Sequence, residues 1–173
     1  MTSLNTSLPE ILAELFSNPL YRHWKDDNPD TYLTHFFAQL DSGFNQKFGW
    51  ELGFYDPQTN KITVFVQKGG NFTVKPADDI FQEKKAAIEK LSLEKVKINF
   101  EKAAEVFQNN FGDYFPQENI VDGFVILQAA EQKNFWNFTF ITRTIKFVNL
   151  KIDAVDGTIT SHQTIDLVDR GSK

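Results

Sequence analysis

The chain has 173 residues, 41% of them hydrophobic, with 18 Phe, no Cys and a formal net charge of −5. That size suits one compact domain or two small lobes sharing a core, and the phenylalanines supply a core without disulfides or metal. The missing Cys excludes thiol catalysis and zinc–thiolate sites. The acidic balance argues against a nucleic-acid partner, because the only local basic clusters, Lys84-Lys85 and Lys95/Lys97, are flanked by acidic residues.

Ser7-Leu8-Pro9-Glu10 has the form of a capping box, and Leu8, Ile11, Leu12, Leu15 and Phe16 then follow at helical spacing. Pro19 is expected to end or kink this helix, with a short turn over Leu20–Lys25. After the Asn28-Pro29-Asp30 punctuation, Thr31–Leu40 fits either a helix or a strand; its aromatics and threonines favour a strand. Phe48–Tyr55 and Lys61–Gln67 are predicted strands joined by the turn Asp56-Pro57-Gln58-Thr59-Asn60. Gly69-Gly70-Asn71 is a further turn before a short strand, Phe72–Lys75.

Asp78–Leu91 reads as a helix with Ile80, Phe81, Lys84, Ala87, Ile88 and Leu91 on one stripe. Asn99 is the expected N-cap of another helix carrying Phe100, Ala103, Ala104, Phe107 and Phe111 and stopping near Gly112. Pro116–Gly123 is a connection, and four strands follow: Phe124–Ala129, Phe135–Arg143, Ile145–Asp153 and Thr158–Leu167. Asp156-Gly157 marks a hairpin between the last two. Alternation such as Leu150 and Ile152 against Asn149, Lys151 and Asp153 implies a sheet with one wet face. The predicted class is α+β, with helices packed against antiparallel sheet.

Two passages resemble each other. Residues 49–63 and residues 135–140 with 150–160 each carry a Trp on a strand-like run, an acidic turn and a β-branched run, downstream of a helix-like segment. A spacing of roughly 90 residues suggests a duplicated α+β unit rather than a solenoid. The predicted units are 1–76 and 77–173, with Trp50 and Trp136 on equivalent central strands and Tyr55–Ile62 overlaying Ile152–Ile159.

Asn149–Gln163 resembles the closing hairpin of PepSY domains: a strand ending in Asp153-Ala154, a turn containing Gly157, then a strand. The Trp136 strand and the Asn99–Phe111 helix with Ala103-Ala104 fit the same unit, and Tyr55–Ile62 is similar to a diverged first copy. The likeness covers 95–168 and, more weakly, 8–75. It implies a tandem of cystatin-like modules without catalytic residues, whose relatives inhibit or chaperone peptidases. Those relatives are mostly exported or membrane-tethered. Here the first ten residues lack a basic region followed by an apolar run, so the sequence as given points to the cytoplasm, or to export if a leader has been trimmed. No run approaches the ~18 apolar residues of a membrane span.

Candidate sites are sparse. Asp26-Asp27-Asn28-Pro29-Asp30 opens like a calcium loop, but Thr31 stands where Gly is required and Phe37 where the closing Glu belongs, so a helix-terminating turn is expected. His23, His35 and His162 have no metal-ligand spacing. No Gly-x-Ser-x-Gly elbow occurs, and Gly69-Gly70-Asn71 is too short for a phosphate loop. Trp50, Phe54, Tyr55, Phe65, Trp136, Phe138, Phe140 and Phe147 are placed on strands and serve either a core or an apolar cavity. The sequence therefore predicts no catalytic, cofactor-binding or metal residue and no cofactor. It predicts a non-enzymatic binding or regulatory module with a protein partner, in the family's terms a peptidase. The alternative is a small apolar-ligand binder with an aromatic-lined cavity. Oligomeric state and binding surface are not readable.

Overall fold

The computed structural model describes residues 6–79 and 88–168. Helix α1 (Leu8–Ser17) starts as its sequence dictates: Ser7 is extended and its hydroxyl accepts from the Glu10 amide at 3.3 Å, with Pro9 in the first turn. Asn18 then serves two helices. Its N–H donates to the Leu15 carbonyl, closing α1, and its side chain accepts from the Leu20 amide, opening α2 (Pro19–Asp27). Pro19 thus begins a helix instead of merely ending one, because its missing N–H is unneeded at a first helical position. The expected short turn over Leu20–Lys25 is nine residues of helix. Asp26 and Asp27 lie in its last turn, and Asn28 caps it with a side-chain bond to the Trp24 carbonyl.

Eight strands form one antiparallel sheet: β1 (Tyr32–Asp41), β2 (Glu51–Asp56), β3 (Lys61–Lys68), β4 (Asn71–Asp79), β5 (Ile120–Ala130), β6 (Lys133–Thr142), β7 (Lys146–Asp153) and β8 (Ile159–Asp166). A 3₁₀ turn at Leu93–Lys95 and helix α3 (Phe100–Tyr114) separate β4 from β5. The spatial order is β4-β3-β2-β1-β5-β6-β7-β8. The α+β expectation holds, and the ambiguous Thr31–Leu40 run is a strand. Phe36, Ala38 and Leu40 alternate onto one face, where they meet Leu127, Val125 and Gly123 across the β1–β5 seam.

Several boundaries move. The expected strand Phe72–Lys75 continues to Asp79, carried by pairing of Asp78 and Asp79 with Ile62 and Lys61, so the first residues of the predicted Asp78–Leu91 helix are strand. Residues 88–91 are irregular, and 80–87 lie outside the described residues. Helix α3 has its Asn99 cap, bonded to the Lys102 amide, but runs through Gly112 to Tyr114. The Pro116–Gly123 connection yields its last four residues to β5.

Each half places helix before a four-stranded meander, and the meanders join through β1 and β5. The turns do not correspond. Residues 55–62 link the second and third strands of the first meander, whereas 152–159 link the third and fourth of the other, so the predicted overlay fails. Trp136 lies within β6 and Trp50 at the entry to β2, each the second strand of its meander, so the two tryptophans correspond more nearly than the turns do. The division expected at 76/77 falls inside β4.

The helices cover one sheet face. Ile11, Leu15, Tyr21, Ala103 and Phe107 join Phe36, Leu52, Phe54, Phe65, Trp136, Phe138, Phe140 and Leu150 in a single core. The other face is not simply wet. Asn149 and Lys151 stand on it, but so do Phe37 and Phe124, with ring centroids 5.6 Å apart, and Phe147. Asp153, expected on the wet side, is buried, because its carboxylate accepts from the Val155 amide inside the turn to β8.

In that turn Gly157 has φ +79, and Asp156 accepts from the Thr158 amide. A β-branched residue resists positive φ, and a Cβ here would stand 2.9 Å from the Ile98 side chain. Gly157→Val is therefore expected to destabilise the fold by about 2 kcal/mol, read as a lowered urea midpoint at unchanged slope.

Candidate functional site

A half-open cleft of about 770 Å³ lies between the start of α1, the β1–β2 loop, the end of β3 and the segment leading into α3. Its floor is aromatic. Trp50 packs edge-on against Phe100 at 5.8 Å and lies 6.3 Å from Trp136, and Phe100 is 6.1 Å from Trp136. The Trp136 indole N–H donates to the Ile98 carbonyl at 2.8 Å, so only its apolar surface is turned to its neighbours.

Both rims are held firmly. In the β1–β2 loop, Asp41 accepts from the Gly43 and Asn45 amides at 2.8 and 3.0 Å. Those bonds, first of all that from Asn45, hold its carboxyl below the usual carboxylate range. Phe44, at φ +65, turns inward and packs between Phe107 at 5.3 Å and Phe140 at 5.1 Å. Phe48, 63% exposed, is left at the lip. On the opposite rim the Lys97 and Ile98 amides both donate to the Ala154 carbonyl at 2.8 and 2.9 Å, pinning the entry to α3 onto the end of β7.

The rim is polar: Asn45, Gln46, Lys47, Lys97 and Glu101. Lys47 forms an ion pair with Asp122 at 2.5 Å, and Lys97 donates to the Glu94 carbonyl at 2.9 Å. Both are surface contacts that release a cation at little cost.

One polar group sits deep. Gln67 is 7% exposed and lines the cleft. The Trp50 amide donates to its side-chain oxygen at 3.2 Å, which fixes the amide orientation: the acceptor faces Trp50, and the NH₂ faces the other way. Among the described residues nothing accepts from that NH₂, and no buried side-chain atom lacks a partner, so the group is solvent-accessible on a residue that lines the cleft. The aromatic floor with a convergent polar donor is the usual composition of a small-molecule site.

The sequence-derived aromatics divide. Phe54, Phe65, Phe138 and Phe140 are core, and Phe147 and Tyr55 are not in the cleft; Trp50 and Trp136 line it. The histidines stay apart. His23 is exposed on α2, His162 on β8 packs 4.7 Å from Tyr114, and His35 on β1 is bonded to the Thr34 hydroxyl at 2.8 Å. No cluster of three or more His, Asp or Glu suited to a metal occurs among the described residues. Sequence reasoning missed Gln67, Phe100 and Phe48. Gln67 did leave a trace: it falls on the inward parity of Thr63 and Phe65, where a polar residue interrupts the core pattern.

No family model and no curated protein matches the chain. Its fold is similar to the crystal structure of a candidate lipoprotein from Clostridium difficile 630, with a TM-score of 0.55 and 10% identity over 94% of this chain and 95% of that one. Such a likeness speaks for the fold alone. No helix among the described residues is long and apolar enough to cross a membrane.

Proposed function

We propose that the chain is a non-enzymatic binding protein whose cleft takes up a small amphipathic ligand: a planar apolar body against Trp50 and Phe100, and a carbonyl or carboxylate at Gln67. The observation that carries this reading is Gln67, a largely buried residue of the cleft lining whose side-chain NH₂ has no acceptor among the described residues. That donor is solvent-accessible, and a ligand oxygen in the cleft can take the place of water on it. Lys47 and Lys97 at the rim favour an anionic over a cationic ligand. The aromatic cleft supports the small-ligand reading; peptidase modulation would use an exposed sheet face or edge instead.

The test is a fluorescence titration with 2-naphthoate as probe, since Trp50 and Trp136 in the floor report occupancy directly. Saturable quenching is expected. Gln67→Leu, which keeps the volume and removes the donor, is expected to weaken binding about tenfold, or about 1.4 kcal/mol. Trp50→Ala is expected to weaken it at least as much. Quenching that does not saturate, or equal affinity in all three proteins, rejects the cleft as a binding site.

A further inference from the structure

The two edges of the sheet are built differently. The β4 edge carries Lys75 and Pro76, and its pairing with β3 is broken by a register shift between Ile62 and Val64. A charge, a proline and an irregularity are the devices that keep an edge from recruiting another strand. The β8 edge has none of them over its outer length. From Thr160 to Ile165 it carries no Lys, Arg or Pro and no carboxylate, and its register with β7 runs unbroken from Asp166 to Ser161.

The backbone of β8 is open. The Leu167 amide donates to Ile145, so the odd-numbered residues of β8 bond to β7, and alternation turns the N–H and C=O of His162 and Thr164 outward. Nothing among the described residues pairs with them. Exposed apolar surface gathers at the same place. Of the eleven exposed large hydrophobic side chains among the described residues, six belong to β7, β8 or their flanking turns: Ile145, Phe147, Val155, Ile165, Leu167 and Val168. Scattered exposed apolar residues are ordinary, but a concentration beside an open edge marks an interface.

We propose that β8 pairs antiparallel with β8 of a second copy about a two-fold axis at Gln163, joining two sheets into one. An extended strand is the occupant that satisfies a row of outward N–H and C=O groups. Charge admits the second copy. Each chain carries a net charge of −5, but Thr160–Ile165 holds no Lys, Arg, Asp or Glu, so two copies meet there without like charges opposed. About Gln163 the outward residues His162 and Thr164 face each other and exchange backbone hydrogen bonds. Ile159 comes opposite Leu167 and Ser161 opposite Ile165. The one carboxylate of the strand, Asp166, comes opposite Thr160 rather than its own copy. A two-fold contact closes after two copies and leaves the guarded β4 edges outermost.

Light scattering during gel filtration of the full chain tests this. The wild-type protein is expected at twice the mass of one chain. Gln163 is exposed, so charging it leaves the fold intact, but the axis sets two copies of the new charge directly opposite. Gln163→Lys and Gln163→Glu are each expected to halve the mass, and an equimolar mixture of the two to restore it, because Lys then faces Glu. Hydrogen exchange at the His162 and Thr164 amides of the wild-type protein is expected to slow with rising concentration. A monomeric wild-type chain overturns the proposal and leaves the edge to a foreign strand. A dimer that survives both charge variants, or a mixture that stays monomeric, overturns it too.

Discussion

Trp136→Ala is expected to destabilise the fold by about 4 kcal/mol, the upper range for truncating a buried aromatic side chain. Trp136 is wholly buried in β6, between Leu127 of β5 and Ile152 of β7, under Phe100. Its removal opens a cavity where three strands and the start of α3 meet, and well-packed sheet cannot collapse to fill it. A second loss accompanies the first: the Ile98 carbonyl loses the indole N–H that satisfies it. Trp136→Phe separates the two, since it restores most of the volume and none of the hydrogen bond; about 2 kcal/mol is expected there. Urea midpoints measure both. A loss below about 1 kcal/mol for the alanine variant would show that the seam repacks, against the density argument.

Acid is expected to weaken the fold through His35. Burial lowers the pKa of His35 to about 4; Glu51 opposes this but does not overcome it. The ring packs against Gly53, where a Cβ would stand 2.0 Å from its Cε1, and the Thr34 hydroxyl holds its Nδ1. In the unfolded chain the same imidazole titrates near 6.5. Between those values the unfolded state binds more protons, so stability rises with pH across the window and falls as pH drops through it. From pH 7 to pH 4 the loss amounts to about 3 kcal/mol. His35→Gln removes the titration while carboxylates shared by both proteins cancel. The variant is therefore expected to lose less stability than wild type over that range, compared by urea midpoints at each pH. Equal acid losses in the two proteins would show His35 to be solvated and its proton free to bind.

Local chemistry explains most of what the sequence revealed. Ser7 and Asn99 are caps by side-chain type, and both cap. Asp156-Gly157 makes the turn its φ requirement foretold. The errors arise where distant partners decide. Lys75, Pro76 and the aspartates ending β4 have low strand propensity, and pairing with Lys61 and Ile62 overrides it. Pro19 reads equally as a stop or a first turn, and Asn18 settles it by capping both ways. The β1–β5 seam has no local signature at all, since each strand would pair as well at either end of a meander. The cleft was invisible for the same reason. It is assembled from five separate segments, and Gln67 becomes informative only once the inward face of β3 is known.

The β1–β5 seam also governs how the chain is made. Every other strand pair in the sheet joins neighbours in sequence and can zip as soon as its hairpin is complete. β1 alone must wait on one side: Asp41 pairs with Asp122, and nothing offers β1 that partner until β5 has been synthesised. At roughly 5–20 residues per second, translation leaves this strand half-paired for several seconds. During that interval Phe36 and Phe37 sit at a temporary edge. Closing the long loop costs little more entropy than closing a shorter one. The hazard therefore lies in the delay, and a chaperone acting on the ribosome-bound chain would meet this protein at β1.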